Sequence, residues 1–285
     1  MTATGPVALA LHGGAGRRAK PDYESERLFL TDLAGRAWRG LADGRAALEV
    51  VVETVQALEL SGLFMAGRGA RPNSAGLYEL DAALMDGPSR QAGAVAALQG
   101  FQSPIGVARE VMMHTPHVLL AGDGAAAFAR SRGLAEIADD AAWYLGAGAH
   151  EPGHGTVGCV ALDGEGRLAA ATSTAGVNGK PWGRVGDSPL IGAGTWADDG
   201  VAVSCTGLGE AFIRASAASQ LALRWRLAGQ ALAPAAQAVL DEVKALGGQG
   251  GLIAVDRSGS VVTPFNADFM ARAVVDPDGN VRAAC

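Results

Sequence analysis

The stretch "TVGCVALDGEGRLAAATST", residues 156–174, decides how the chain folds. Two short apolar runs flank Asp163-Gly164-Glu165-Gly166, and both are too short for helices and bounded by turn residues. Glycines supply the unusual backbone angles of a tight turn, and an aspartate side chain hydrogen-bonds its own turn, so the runs read as a β-hairpin. A hairpin centred on Glu165 sets Thr156 opposite Thr174, whereas a one-residue shift sets Thr156 opposite Ser173. Either register returns hydroxyls to the strand entrance, where Gly155 precedes Thr156.

Outward from the hairpin, strand and helix signals alternate. "VALALHGGAG", residues 7–16, is a buried strand ending in a glycine turn. Helical spacing follows over Ser25 to Ala42 and then over 44–60, where Leu48, Val51, Val55 and Leu58 share a face. A strand is expected near Leu77 to Met85. Residues 103–133 predict a helix, a proline-marked break and a second helix from about Asp123. The polar, turn-rich segment from Leu134 to Gly153 reads as an exposed loop, a natural place for chain cleavage. "GVAVSCTGLGEAFIRASAASQLALRW", residues 200–225, predicts a strand, a Thr-Gly-x-Gly turn and a long helix. "GGLIAVDRSGSVVTPFN", residues 250–266, repeats the hairpin design with its turn at Asp256 to Gly259. The mixture is an α/β or α+β fold with β-rich cores covered by helices.

Bulk properties remove several classes of function. The chain has 285 residues, 49% of them hydrophobic, which suits a soluble globular protein with a large core. A net charge of −6 offers no basic field for nucleic acid. No apolar run is long enough to span a membrane, and the first residues lack the basic region of a signal sequence. Cys159, Cys205 and Cys285 form no CxxC pair, which fits a reducing, cytoplasmic setting. His114 and His117 have the wrong spacing for a helical zinc pair, with Pro116 between them.

Three stretches point to chemistry. An internal threonine hydroxyl needs a general base, and no histidine–carboxylate pair stands at recognisable spacing around Thr156. Cleavage of the Gly155–Thr156 bond would give Thr156 an α-amine with a pKa of about 7.7–8, a base carried by the nucleophile itself. Gly155, without a Cβ, leaves its carbonyl open to attack, and Thr174 is placed to orient the Thr156 hydroxyl. Arg184 and Asp187, three apart in a glycine-rich loop, suit the carboxylate and ammonium of an amino acid, though taken alone such a pair is more often a surface ion pair. Thr206 and Gly207, between a strand and a helix, offer donors for an oxyanion, or simply a tight helix entrance.

Together these segments resemble the plant-type L-asparaginases, or isoaspartyl aminopeptidases, of the N-terminal nucleophile hydrolases. The likeness runs in order through "LHGGAG", "LFMAGRG", "ELDAALMDG", "SPIGVAREVM", "HGTVGCVALD", "ATSTAG", "GRVGDSPLIGAGTWAD" and "SCTGLGEAFIR". It implies a four-layer αββα sandwich in a single domain, residues 1–285, that cleaves itself into an α chain, 1–155, and a β chain, 156–285. It implies a homodimer of such pairs and hydrolysis of β-aspartyl dipeptides and L-asparagine to release aspartate. On the resemblance Thr156 is the nucleophile, Thr174 its supporting threonine, and Thr206 and Gly207 the oxyanion hole. Arg184 takes the substrate carboxylate, and Asp187, with Gly209 lining the pocket, takes the ammonium. No catalytic cofactor is implied. A structural sodium is, held by backbone carbonyls of Leu58, Glu59, Ser61, Phe64, Ala66 and Arg68.

Three departures from the family pattern stand out. Met65 replaces an asparagine that in relatives ties the α chain to the active threonine, Ala175 replaces a glycine, and Leu208 a threonine. They motivate two alternatives: hydrolysis of another β-aspartyl amide, such as a β-aspartyl-arginine dipeptide or glycosylasparagine, and a poorly processed homologue with a binding role.

Overall fold

The strands that carry the site are apolar on both faces, because each is covered on both. In the computed structural model, which describes residues 5–17, 22–145, 155–276 and 278–285, the first half forms β1 (Ala8–Gly16), α1 (Glu24–Ala42), α2 (Ala47–Ser61), β2 (Leu80–Asp86), β3 (Ala92–Leu98), α3 (Pro104–His114), β4 (Leu119–Ala121), α4 (Gly122–Ser131) and α5 (Asp140–Trp143). The second half forms β5 (Thr156–Leu162), β6 (Leu168–Thr174), β7 (Thr195–Ala197), β8 (Val201–Gly207), α6 (Gly209–Ala215), α7 (Ala217–Ala228), α8 (Leu232–Ala245), β9 (Gly250–Asp256), β10 (Val261–Val262), β11 (Phe269–Val275) and β12 (Val281–Ala284).

Two sheets result. One has eight strands in the order β12-β11-β1-β5-β6-β2-β3-β4, the other four in the order β10-β9-β8-β7. Helices α1 to α4 pack on the larger sheet, α6 to α8 pack with the smaller one, and β1, β2, β5 and β6 meet β7, β8 and β9. Period-two alternation divides the side chains among these interfaces. Leu9, Leu11, Val157 and Cys159 lie under the first helical group with Leu30, Val51 and Ile105. Ala8, Ala10, Ala170 and Ala202 lie between the sheets with Val160, Ile253 and Val255. Phe212, Leu221, Val239 and Leu240 fill the second helical interface against Val203, Cys205 and Leu252. Among the described residues no helix is long and apolar enough to cross a membrane.

The hairpin of 156–174 adopts the register centred on Glu165: Thr156 lies opposite Thr174, and Ser173 opposite Val157. Asp163 locks the turn. Its Oδ1 accepts from the amides of Glu165 and Arg167, both at 3.0 Å, while its Oδ2 accepts from Arg167 Nε at 2.8 Å and from the Ala47 amide at 2.9 Å. One carboxylate thus closes the hairpin and satisfies a free N–H at the start of α2.

Three expectations are corrected. The long helix after "SCTGLGE" is two helices, because Ser216 adopts a left-handed conformation, φ 47°. That break lets the amides of Ala218 and Ser219 donate to the carbonyls of Ala193 and Gly192, at 3.1 and 2.9 Å. Residues 103–133 contain, besides two helices, the short edge strand β4, and the alanine-rich β3 precedes them. The expected loop from Leu134 holds α5, and Tyr144 is buried there and stacked on Tyr78, ring centroids 3.8 Å apart. Its remainder, 146–153, lies outside the described residues.

Candidate active site

The hairpin brings Thr156 and Thr174 side by side at the open end of β5 and β6. Thr156 Oγ1 donates to Thr174 Oγ1 at 3.1 Å, and Thr174 Oγ1 also accepts from the Gly176 amide at 3.0 Å. With its proton given to Thr174, the Thr156 oxygen keeps its lone pairs for the adjoining cleft. Gly155, Thr156, Thr174, Arg184, Asp187 and Gly207 all line this narrow cleft.

Crowding explains the glycine before the threonine. A Cβ on Gly155 would lie 2.6 Å from Met65 Cβ and 2.8 Å from its backbone nitrogen. The Met65 carbonyl in turn accepts from the Ala175 amide at 2.9 Å, one residue beyond β6. The segment after α2 therefore touches both threonine strands through Met65, with no polar side chain involved.

Across the cleft Arg184 forms a two-pronged ion pair with Glu210, Nε to Oε1 at 2.9 Å and Nη2 to Oε2 at 2.8 Å. Its Nη1 faces Gly176 and Gly186, where a Cβ would come within 3.2 and 3.0 Å. Asp187 is buried, and its Oδ2 has no hydrogen-bond partner. Burial pushes this carboxyl up to about 7, only partly offset by its own amide and by Arg184. A buried carboxyl with an unsatisfied oxygen beside a cleft is built to receive a cationic donor.

Gly209 and Thr206 sit just behind the cleft lining. A Cβ on Gly209 would lie 2.9 Å from Asp187 Oδ1 and 3.1 Å from Arg184 Nη2, so the missing side chain lets the two charged groups converge. Thr206 is fully buried, and its Oγ1 accepts from the Ala15 amide at 3.2 Å, leaving its own proton to donate. Leu208 separates them as the residue before α6, its amide donating to the Gln249 carbonyl at 2.9 Å.

The six residues expected to hold sodium form the end of α2 and the turn after it. The Leu58 carbonyl accepts from Ser61 Oγ at 2.8 Å, the Phe64 carbonyl from the Ala66 amide at 2.8 Å, and the Arg68 carbonyl from the Leu145 amide at 3.1 Å. The Glu59 carboxyl turns away to α3, accepting from Ser103 Oγ at 2.6 Å and the Ile105 amide at 3.0 Å, and burial pushes it up to about 7. His114 instead pairs with Glu110 at 3.4 Å, and no cluster of metal-ligating side chains occurs among the described residues. Cys159 and Cys205 are buried, and burial raises both thiols, which makes them core residues.

Several polar groups near the site carry no sequence motif. Glu210 is one. Buried Lys180 donates to the Glu79 carbonyl at 2.9 Å and stands 4.0 Å from Asp81 Oδ2; burial lowers the lysine and raises Asp81 to about 6. His12 is another, its Nδ1 3.0 Å from the Thr156 carbonyl oxygen and its Nε2 2.9 Å from Ser204 Oγ. The only hint in the sequence is a histidine inside a buried apolar strand, where an imidazole must find partners.

The cleft thus gathers paired hydroxyls, a guanidinium and a buried carboxyl with an unsatisfied oxygen. A family model described as Asparaginase matches residues 5–145 and 144–284. The isoaspartyl peptidase of Salmonella typhimurium is 44% identical over 295 residues, covering 94% of either chain, and that of Escherichia coli 44% identical over 297 residues, covering 94% of this chain and 92% of its own. The plant-type L-asparaginase of Pyrobaculum calidifontis is 40% identical over 304 residues, covering 97% of this chain and 99% of its own. The chain belongs to this asparaginase family and is an amidohydrolase.

Proposed function

We propose that the chain is a self-processing threonine hydrolase that cuts the Gly155–Thr156 bond and then hydrolyses β-aspartyl dipeptides and L-asparagine. The observation that carries this reading is the pair Thr156 Oγ1 and Thr174 Oγ1, 3.1 Å apart, in one cleft with Gly155, Arg184 and the unsatisfied Asp187. The names of the relatives supply the substrate class. The two sheets between two helical groups are consistent with the four-layer αββα sandwich of N-terminal nucleophile hydrolases.

In this mechanism Thr156 Oγ1 attacks the side-chain carbonyl of the substrate, and the freed Thr156 amine carries its proton to the leaving nitrogen. Arg184 Nη1 holds the substrate carboxylate and Asp187 its ammonium, fixing the reacting carbonyl over the hydroxyl. The Thr206 hydroxyl and Gly207 amide receive the oxyanion. Water then releases aspartate from the acyl-enzyme. Intact mass and N-terminal sequencing test the first step: a new terminus at Thr156 is expected in the wild type and a single chain in Thr156→Ala. Uncut wild-type protein after long incubation, or full activity in Thr156→Ala, overturns the reading.

The turn after α2 also fits a sodium ion held by the carbonyls of Leu58, Glu59, Ser61, Phe64, Ala66 and Arg68. Those that accept one hydrogen bond retain a second lone pair, and the oxygens of Glu59 and Phe64 crowd the glycines at 67 and 69. Such an ion orders the segment bearing Met65 and takes no part in the chemistry. Replacing sodium by choline should lower Tm; an unchanged Tm counts against the site.

A further inference from the structure

Strands β1 and β5 pair from Ala8 opposite Leu162 to His12 opposite Gly158. There the ladder stops, because β1 shifts register against β11 between His12 and Gly14, which takes φ 111°. The Thr156 carbonyl lies just past this last pair, and the side chain of His12 meets it at 3.0 Å. We propose that His12 is a positioning residue that tethers the carbonyl of the nucleophile through Nδ1–H, at the head of a buried hydroxyl chain running to the substrate-ammonium loop. The proposal rests on Thr156 being the nucleophile.

The proton positions follow from the partners. A carbonyl accepts only, so Nδ1 carries the proton and Nε2 must accept; Ser204, 2.9 Å away, donates to it. Ser204 Oγ must then accept from Thr172 Oγ1 at 2.8 Å, and Thr172 accepts from Thr195 Oγ1 at 2.7 Å. Thr195 shares its proton with the carbonyl of Ser188 at 3.0 Å, the residue after Asp187. His12, Ser204, Thr172 and Thr195 are each completely buried. Gly158 completes the arrangement, because a Cβ there would overlap both Ser204 Oγ and His12 Nε2. Burial also keeps the imidazole neutral, its pKa lowered to about 3, so it orients without exchanging protons.

The tether matters once the chain is cut. Thr156 then becomes a chain end, where residues fray unless tied down, yet its hydroxyl and amine must stay aligned on the substrate. Ladder pairing with β6 holds one side of Thr156, and His12 holds the other.

The experiment compares His12→Asn, whose amide nitrogen reaches the Nδ1 position, with His12→Gln, which reaches the Nε2 position instead, and with His12→Phe. With β-aspartyl-leucine as substrate, His12→Asn should keep kcat within about threefold, while His12→Gln and His12→Phe lose about tenfold or more in kcat at little-changed KM. Equal kcat in all variants, or equal loss in Asn and Gln, overturns the proposal. If His12→Phe fails to fold, the Asn and Gln pair decides alone. Nitrogen-15 NMR of histidine-labelled protein, assigned by loss of the signal in His12→Asn, should show a neutral Nδ1–H tautomer. An Nε2–H tautomer overturns the tether even in uncut protein. An uncut wild type with the Nδ1–H tautomer overturns self-processing and leaves the tether standing.

Discussion

At the scale of single residues, Asp187 ties pH to substrate binding. Its carboxyl is held up to about 7 by burial, so below that pH the free protein carries a neutral acid that attracts no ammonium. Below about pH 7, kcat/KM for a β-aspartyl dipeptide should fall about tenfold per unit, with KM rising; bound ammonium favours the carboxylate and moves the kcat limb lower. Steady-state profiles over pH 5–9 check this, and a flat KM refutes it. The same shift acts on stability in the opposite sense. Between pH 3.8 and about 7 the folded protein keeps a proton the unfolded chain has lost, so this group lowers stability as pH rises through that window. A second residue-level expectation concerns Gly158. Gly158→Ala forces a methyl into Ser204 and His12, at a cost of about 1–3 kcal/mol, read as a lower midpoint in urea.

At the scale of elements, the β5–β6 hairpin was legible because apolar runs and turn chemistry agree locally, whereas the choice between Thr174 and Ser173 opposite Thr156 was made only by the folded register. Asp163 is its fastening. Asp163→Ala leaves the buried Ala47 amide without a partner and frees the turn, and should cost about 2–4 kcal/mol in urea unfolding. A loss below about 0.5 kcal/mol would show that the carboxylate is dispensable. The break at Ser216 was not legible, since nothing in the local pattern marks it and the carbonyls of Gly192 and Ala193 that accept from the amides of Ser219 and Ala218 lie far away in sequence. The strand β3, "AGAVAAL", hid for a different reason: alanine favours helices intrinsically and carries little strand signal.

For the whole molecule, the order of the large sheet has a consequence for the proposed cut. β5 and β6 lie between β1 and β2, and β11 pairs with β1 on its other side, so segments from before and after Gly155 interleave. Separating the two pieces means breaking the β1–β11, β1–β5 and β2–β6 ladders together with the core beneath them. The cleaved chains should therefore co-elute on gel filtration in native buffer and part only in denaturant. Elution of free 156–285 without denaturant would contradict this interleaving.

By itself the sequence determined most of the alternating strands and helices and the threonine-bearing hairpin, because these follow from local periodicity and turn residues; the resemblance to the asparaginase family, not spacing, set Arg184, Asp187 and the glycines beside the threonines. Only the tertiary structure decided that Gly155 packs on Met65, that Arg184 meets Glu210, and that His12 reaches Thr156 across 144 residues of chain. Those contacts depend on how closely separate strands approach and on which buried polar groups must share partners, and neither is set by any one stretch of sequence.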